Sequence, residues 1–161
     1  MNNRLIKIFF AASAGLYMLL VCLNNISDYH ANFQFVSKVS GMEDIFAREK
    51  NGWRALTNPF LQNFMYCLII GWEILITVLI FLGVARMIRT YRAGPLVFKN
   101  SGRAVRTGFF LGVILWFTVF VAVGGEWFLM WQSKTWNGQP TAFMLTICFL
   151  LFLVFQNHED D

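Results

Sequence analysis

Residues 61–85 read LQNFMYCLIIGWEILITVLIFLGVA, and the only charged side chain in the run is Glu73. Wound as an α-helix, the run is ~38 Å long, more than the ~30 Å hydrocarbon core of a bilayer. A helix apolar on every side is a membrane span or the core of a much larger protein. Three other segments share its character. Residues 5–23 are broken only by Lys7, and residues 107–130 carry Glu126 as their one charge. Residues 140–157 begin with Pro140, well placed as the first helical residue, where a missing N–H costs nothing. At ~27 Å this last segment just spans. The expected fold is an all-α membrane protein, a four-transmembrane-helix bundle forming one integral membrane domain over 1–161. Outer loops at 24–60 and 131–139 and a cytoplasmic loop at 86–106 join the spans.

Composition agrees. The chain of 161 residues is 57% hydrophobic and 14% charged, where a soluble domain carries about 25% charged residues. It cannot cover a water-facing surface, which excludes a secreted or cytosolic globule, a disordered tail and a nucleic-acid module. The net charge of +4 serves topology instead. Arg86, Arg89, Arg92, Lys99, Arg103 and Arg106 crowd the 86–106 connection with no acid among them, and Arg4 and Lys7 lie at the amino end. By the positive-inside rule, both termini and this loop face the cytoplasm. The first segment has a basic start and an apolar middle but no small-x-small cleavage site after Leu23, so it reads as a retained span.

The first outer loop is too long for a plain turn. Phe35, Val36, Val39, Met42 and Phe46 recur at near-helical spacing, which predicts a short amphipathic helix on the membrane surface or capping the bundle, in one piece or split at Gly41. Asn51-Gly52 marks a turn, and Asn58-Pro59 starts the second span.

Ionisable groups at membrane depth are functional candidates. Glu73 lies ~18 Å from the outer end of its span, near the bilayer centre. No Lys or Arg is available there to pair with it, so it is expected to be neutral at pH 7. It can carry a proton, bind a cationic substrate, or simply bond a neighbouring helix through Thr77 or Tyr66. Glu126 is shallower. It either pairs with Arg54, fastening the loop to the third span, or joins Asp28 and His30 in a proton or metal site. Trp127, Trp131 and Trp136 form an aromatic belt beside it.

Other chemistry is missing. His30 and His158 lie outside the spans, which excludes a bis-histidine haem. Cys22, Cys67 and Cys148 make no C-x-x-C and no metal spacing; they read as buried free thiols, with a Cys22–Cys67 bridge left open. There is no nucleophile–base pattern and no phosphate loop, and Gly94-Pro95 reads as a turn. No catalytic residue, metal or cofactor is expected. Gly108 and Gly112 form a GxxxG, and Ala11 and Gly15 a small-xxx-small, for close packing within the bundle or between copies.

Laid end to end, the outer segments resemble one family. Asn25-x-x-Asp28-Tyr29-x-x-Asn32-Phe33-x-Phe35-Val36, Trp53-Arg54-Ala55, Trp72-Glu73 and Gly125-Glu126-Trp127-Phe128-x-Met130-Trp131-Gln132-Ser133, continuing as Trp136-Asn137-Gly138-Gln139, are similar to the bacterial predicted small integral membrane protein family DUF2165. The resemblance implies a four-helix protein of the bacterial inner membrane and no particular activity. Where the family has Asp-Thr after the outer-loop Met, this chain has Glu43-Asp44.

Asp28, His30, Asn32, Trp53, Arg54, Glu126, Trp127, Trp131, Gln132, Trp136 and Asn137 therefore crowd the outer, periplasmic face. Polar and aromatic groups mixed in this way suit a binding surface. The leading expectation is a non-enzymatic subunit docking a partner membrane protein or a lipid there. The rival is a proton- or cation-coupled transporter using Glu73, a homo-oligomer paired through Gly108 and Gly112. An enzyme acting on a lipid or quinone head group at Glu126 and His30 comes third. The neutrality of Glu73 is testable by infrared difference spectroscopy: a protonated carboxyl band absent from Glu73→Gln is expected at pH 7, and ionisation near pH 4, the ordinary carboxylate range, contradicts it.

Overall fold

The computed structural model describes residues 3–158, all helix, turn or irregular chain. The elements are α1 (Asn3–Ser27), α2 (Tyr29–Ser40), the single turn α3 (Arg48–Asn51), α4 (Pro59–Arg89), α5 (Pro95–Ser101), α6 (Arg103–Val113) and α7 (Gln139–Asn157). From α6 the chain runs without a break into a wider, π-wound segment, Ile114–Trp127. Four helices are long and apolar enough to cross a membrane: Asn3–Ser27, Pro59–Arg89, Arg103–Trp127 and Gln139–Asn157.

Local chemistry sets the boundaries. Asn58 caps α4, its Oδ1 accepting from the backbone N–H groups of Phe60 and Leu61 at 2.9 and 3.3 Å, with Pro59 as the first helical residue. The 31 residues of α4 make it ~46 Å long, so it outreaches the membrane. Two expectations need correcting. Gly94-Pro95 is a turn that also opens a helix, α5, whose Phe98 is buried. The amphipathic helix expected at 35–46 instead occupies Tyr29–Ser40 and stops at Gly41. It begins one residue after α1 ends and follows α1's path along α4.

That continuity shows in the pairing. Asn25 meets Glu73, Phe33 meets Tyr66, and Ser37 meets Gln62, the partner falling along α4 as the number rises along α1 and α2. Together α1 and α2 form one bent rod antiparallel to α4.

The bundle is tight at the end carrying the basic connection. Here α1 packs on α4, α4 on α6 and α6 on α7, through small residues. A Cβ on Gly83 would lie 2.6 Å from the Val105 backbone nitrogen, and one on Gly108 would lie 2.7 Å from Ile80 Cγ1. A Cβ on Gly112 would run into the Phe149 ring. The GxxxG is thus spent inside one copy and offers no free face for pairing two. Polar ties close the same end. Arg4 donates to the Tyr91 and Ala93 carbonyls at 2.8 and 2.7 Å and lies over the Phe98 ring. Lys7, 3% exposed, donates to the His158 carbonyl at 2.5 Å. Gln156 donates to the Lys7 carbonyl at 2.8 Å.

At the opposite end the bundle divides. α1 stays with α4 and the π-wound segment stays with α7, while α2 fills the space between the two pairs. Tyr29 and Phe33 of α2 pack on Tyr66, and Phe35 packs on Phe120 and Trp136.

Because the Gly83 site abuts backbone, the Gly83→Ala variant is expected to lose about 1–3 kcal/mol of stability. Gly71, with nothing within 4 Å of its would-be Cβ, is the matched control, and its alanine variant should be neutral or slightly stabilised. Thermal unfolding in micelles compares the two. Equal melting temperatures would remove the close α4–α6 contact as a stabilising feature.

Candidate functional site

Glu73 is the centre of the site. It is 1% exposed, and its Oε2 accepts a hydrogen bond from Asn25 Nδ2 at 2.7 Å. Tyr66 donates through its hydroxyl to the Asn25 carbonyl at 3.0 Å, while Thr77 donates to the Glu73 backbone carbonyl at 2.8 Å. The partners expected for the carboxyl, Thr77 and Tyr66, therefore surround it without bonding its side chain. Asn25 does that instead. Among the described residues, Oε1 of Glu73 has no hydrogen-bond partner.

Beside this carboxyl lies a chamber of about 240 Å³ between α1, α2, α4, the π-wound segment and α7. Glu73, Asn25 and Asn32 supply side-chain polarity to its wall, and Tyr66, Trp116 and Phe120 supply aromatic faces. Trp116 is 8% exposed, and its indole N–H has no partner. The chamber wall thus includes one carboxylate oxygen that no protein group bonds. Towards the lipid the chamber is bordered by Tyr17 of α1 and Thr141 of α7, both exposed. The named contacts between α1 and α7 lie at the basic end, where Phe10 stacks on Phe152 and Lys7 meets Gln156. Towards α2 the two helices part, and the chamber fills the gap.

Glu73 lies well inside the bundle. Along α4 and α6, Gly83 faces Val105 and Gly108 faces Ile80, a register that sets Glu73 level with Leu115 and Trp116, near the middle of the third span, Arg103–Trp127.

The other expected site residues serve mainly to hold this end together. The Glu126–Arg54 ion pair is not made: Glu126 is exposed, and Arg54 donates to its backbone carbonyl at 3.5 Å and lies over the Trp127 ring at 5.7 Å. Asp28 and His30 are exposed at the start of α2, and no group of three His, Cys, Asp or Glu side chains among the described residues is placed to hold a metal. Asn32 Nδ2 donates to the Asp28 and Asn24 carbonyls, covering the α1–α2 bend. Gln132 accepts from the Phe46 N–H at 2.9 Å, and Asn137 accepts from the Gln139 N–H at 3.1 Å, opening α7. Trp53 packs edge-on against Trp127, Trp131 against Phe46, and Trp136 against Phe35. The departure at Glu43-Asp44 also has a use. Ser133 donates to Asp44 Oδ2 at 2.7 Å while accepting from the N–H groups of Thr135 and Trp136, so the acid ties the two loops of this end together. Glu43 pairs with Lys38 at 2.6 Å in the open, worth little.

The cysteines are three separate thiols. Cys22 is buried against Thr77, while Cys67 and Cys148 are exposed rather than buried. Sequence reasoning missed Tyr17, Trp116 and Thr141, and it met Asn25 only as part of a motif. The available signal was register: running α1 antiparallel to α4 from Cys22 against Thr77 brings Asn25 to within one residue of Glu73.

A family model for predicted small integral membrane proteins (DUF2165) matches residues 3–159, and the chain belongs to that family. No curated protein and no solved structure matches it.

Removing the Asp44 carboxylate should free the loops locally, at about 1 kcal/mol. In Asp44→Ala, hydrogen exchange is expected to quicken over 41–47 and 133–136 and to stay unchanged in the α1–α4 contact. Uniform quickening through the bundle would show that the tie holds more than the loops.

Proposed function

We propose that this protein is a non-enzymatic binding module of the bacterial inner membrane that takes one small ligand into the chamber under α2. The observation that carries this reading is the buried carboxyl of Glu73, with one oxygen unpartnered, in the wall of a chamber lined otherwise mostly by apolar and aromatic residues. Unsatisfied polar groups around a concave, largely apolar space mark where a ligand completes the structure. The gap between α1 and α7 is the route from the bilayer. The crowd of basic residues at the tight end supports a cytoplasmic position for that end and for both termini, with α2 on the periplasmic side.

A second reading, docking of a partner membrane protein, draws on the exposed aromatic rings at the same end. Trp53 is 76% exposed, Phe46 74%, Trp127 48% and Trp131 45%. Rings at this level also anchor a protein among lipid head groups, so the chamber supports the first reading more specifically than the rings support the second. Transport by a pair of copies loses its proposed contact, since Gly108 and Gly112 are occupied within one copy.

The test is intact-mass spectrometry of the protein extracted with its native lipids. One small molecule or lipid per chain is expected, and it should be lost in Thr141→Trp, which fills the mouth of the chamber from an exposed position. A bare chain, or an adduct that survives Thr141→Trp, would overturn the reading. A foreign protein bound in stoichiometric amount would move the function to the aromatic surface.

A further inference from the structure

We infer that the ligand of this chamber presents an ammonium group, which Glu73 holds as its counter-charge against the aromatic faces of Trp116 and Tyr66. The inference rests on the chamber being a binding site and adds the chemistry of what it binds. Three features of the wall lead to it. The single group able to carry charge among the polar side chains of the wall is a carboxyl, and the lining has no Lys, Arg or His, so a cation is the species the site lacks. Only one carboxylate oxygen is spoken for, by Asn25 at 2.7 Å; the other is free to meet a ligand. Tyr17, Phe35, Tyr66, Trp116 and Phe120 supply aromatic rings to the wall, and aromatic faces attract alkylated ammonium groups through the ring quadrupole. A strongly hydrated metal ion would gain little from such a wall, whereas an organic ammonium gains from both the charge and the rings.

The position of the chamber agrees. It opens sideways between α1 and α7, beside the exposed Tyr17 and Thr141. An ammonium can arrive there either on a lipid head group or as a free organic cation. About 240 Å³ accommodates such a group and excludes a drug-sized molecule.

The protein in nanodiscs of phosphatidylglycerol, which has no ammonium, is titrated with choline and with 3,3-dimethylbutanol, its uncharged isostere, by calorimetry. Choline should bind more tightly than the isostere. In Glu73→Gln, which preserves an acceptor for Asn25, choline should weaken by about tenfold or more, with the isostere unchanged to within about twofold. Glu73, expected to be neutral in the empty chamber at pH 7, must give up its proton to pair with an ammonium, so choline binding to the wild type should strengthen as pH rises while the isostere stays level. The titratable neighbours facing Glu73 are Tyr17 and Cys22 on α1 and Tyr66 on α4, with Cys148 of α7 beside Tyr17; α2 and the π-wound segment add none to the lining. All of these neighbours are neutral in the acidic range, so they leave the sign unchanged. Adding phosphatidylethanolamine identifies the source: competition with choline assigns the site to a lipid head group, and no competition assigns it to a free cation. Binding of the isostere alone, or choline binding indifferent to Glu73→Gln and to pH, overturns the ammonium inference and leaves the chamber standing. If neither compound binds, both readings fail.

Discussion

The hydrogen bond from Asn25 to Glu73 is the constraint around which the rest of the structure is arranged. A carboxyl facing hydrocarbon without a partner costs several kcal/mol, and here the partner comes from another helix. The bond therefore fixes α1 against α4 in both rotation and height. With that register set, Cys22 falls on Thr77, and the chain leaving α1 at Ser27 is already aligned to continue along α4 as α2. Gln62 then receives the far end of α2, donating to the Ser37 and Leu56 carbonyls at 3.2 and 2.7 Å. One polar contact between α1 and α4 thus decides where a twelve-residue helix lies.

The division of the bundle has a backbone cause as well. Up to Val113 the third span is a regular α-helix packed tightly on α4 through Gly108. Beyond it the winding widens, and Phe128 N–H reaches back five residues to the Val123 carbonyl at 3.0 Å. π-turns are rare and cluster at functional sites, since they redirect side chains without ending the helix. Here the change of winding coincides with the point where the third span leaves α4 and stays with α7, and it sets Trp116, Phe120 and Gly124 along the surface facing the opened space. Gly125 lets the start of α7 come close, since a Cβ there would lie 2.6 Å from Gln139 Nε2. Two residues past the end of the segment comes Leu129, a non-glycine residue with φ of 56°, a conformation that costs about 1–2 kcal/mol. The loops bonded through Ser133 and Asp44 hold it there.

The four spans and the fold class were legible in the sequence because they depend on one-dimensional quantities, run length and absence of charge. The glycine pairs were legible as packing sites, yet which surface they served was not, because that depends on the neighbouring helix. Glu73 stood out as a charge in an apolar run, while its partner did not, because that partner comes from another helix. Asn25, Trp116 and Thr141 went unread as site residues for a related reason. Each is unremarkable on its own helix, and only the packing of four elements makes them neighbours. The aromatic and polar residues of the outer segments were correctly seen as a group, but much of that group is spent in holding the loops and α2 in place.

Taken together, these features separate the molecule into a part that must be rigid and a part that is left incomplete. The basic end satisfies its polar groups with backbone carbonyls and packs its glycines to the limit of contact. The other end leaves one carboxylate oxygen without a protein partner beside a chamber. Thr141 and Tyr17, at the lipid-facing border of that chamber, belong to helices locked together only at the opposite end. The α1–α4 register that holds Glu73 does not depend on the contacts between α1 and α7. On the proposed reading, a ligand would enter from the side while the carboxyl that meets it stays where it is.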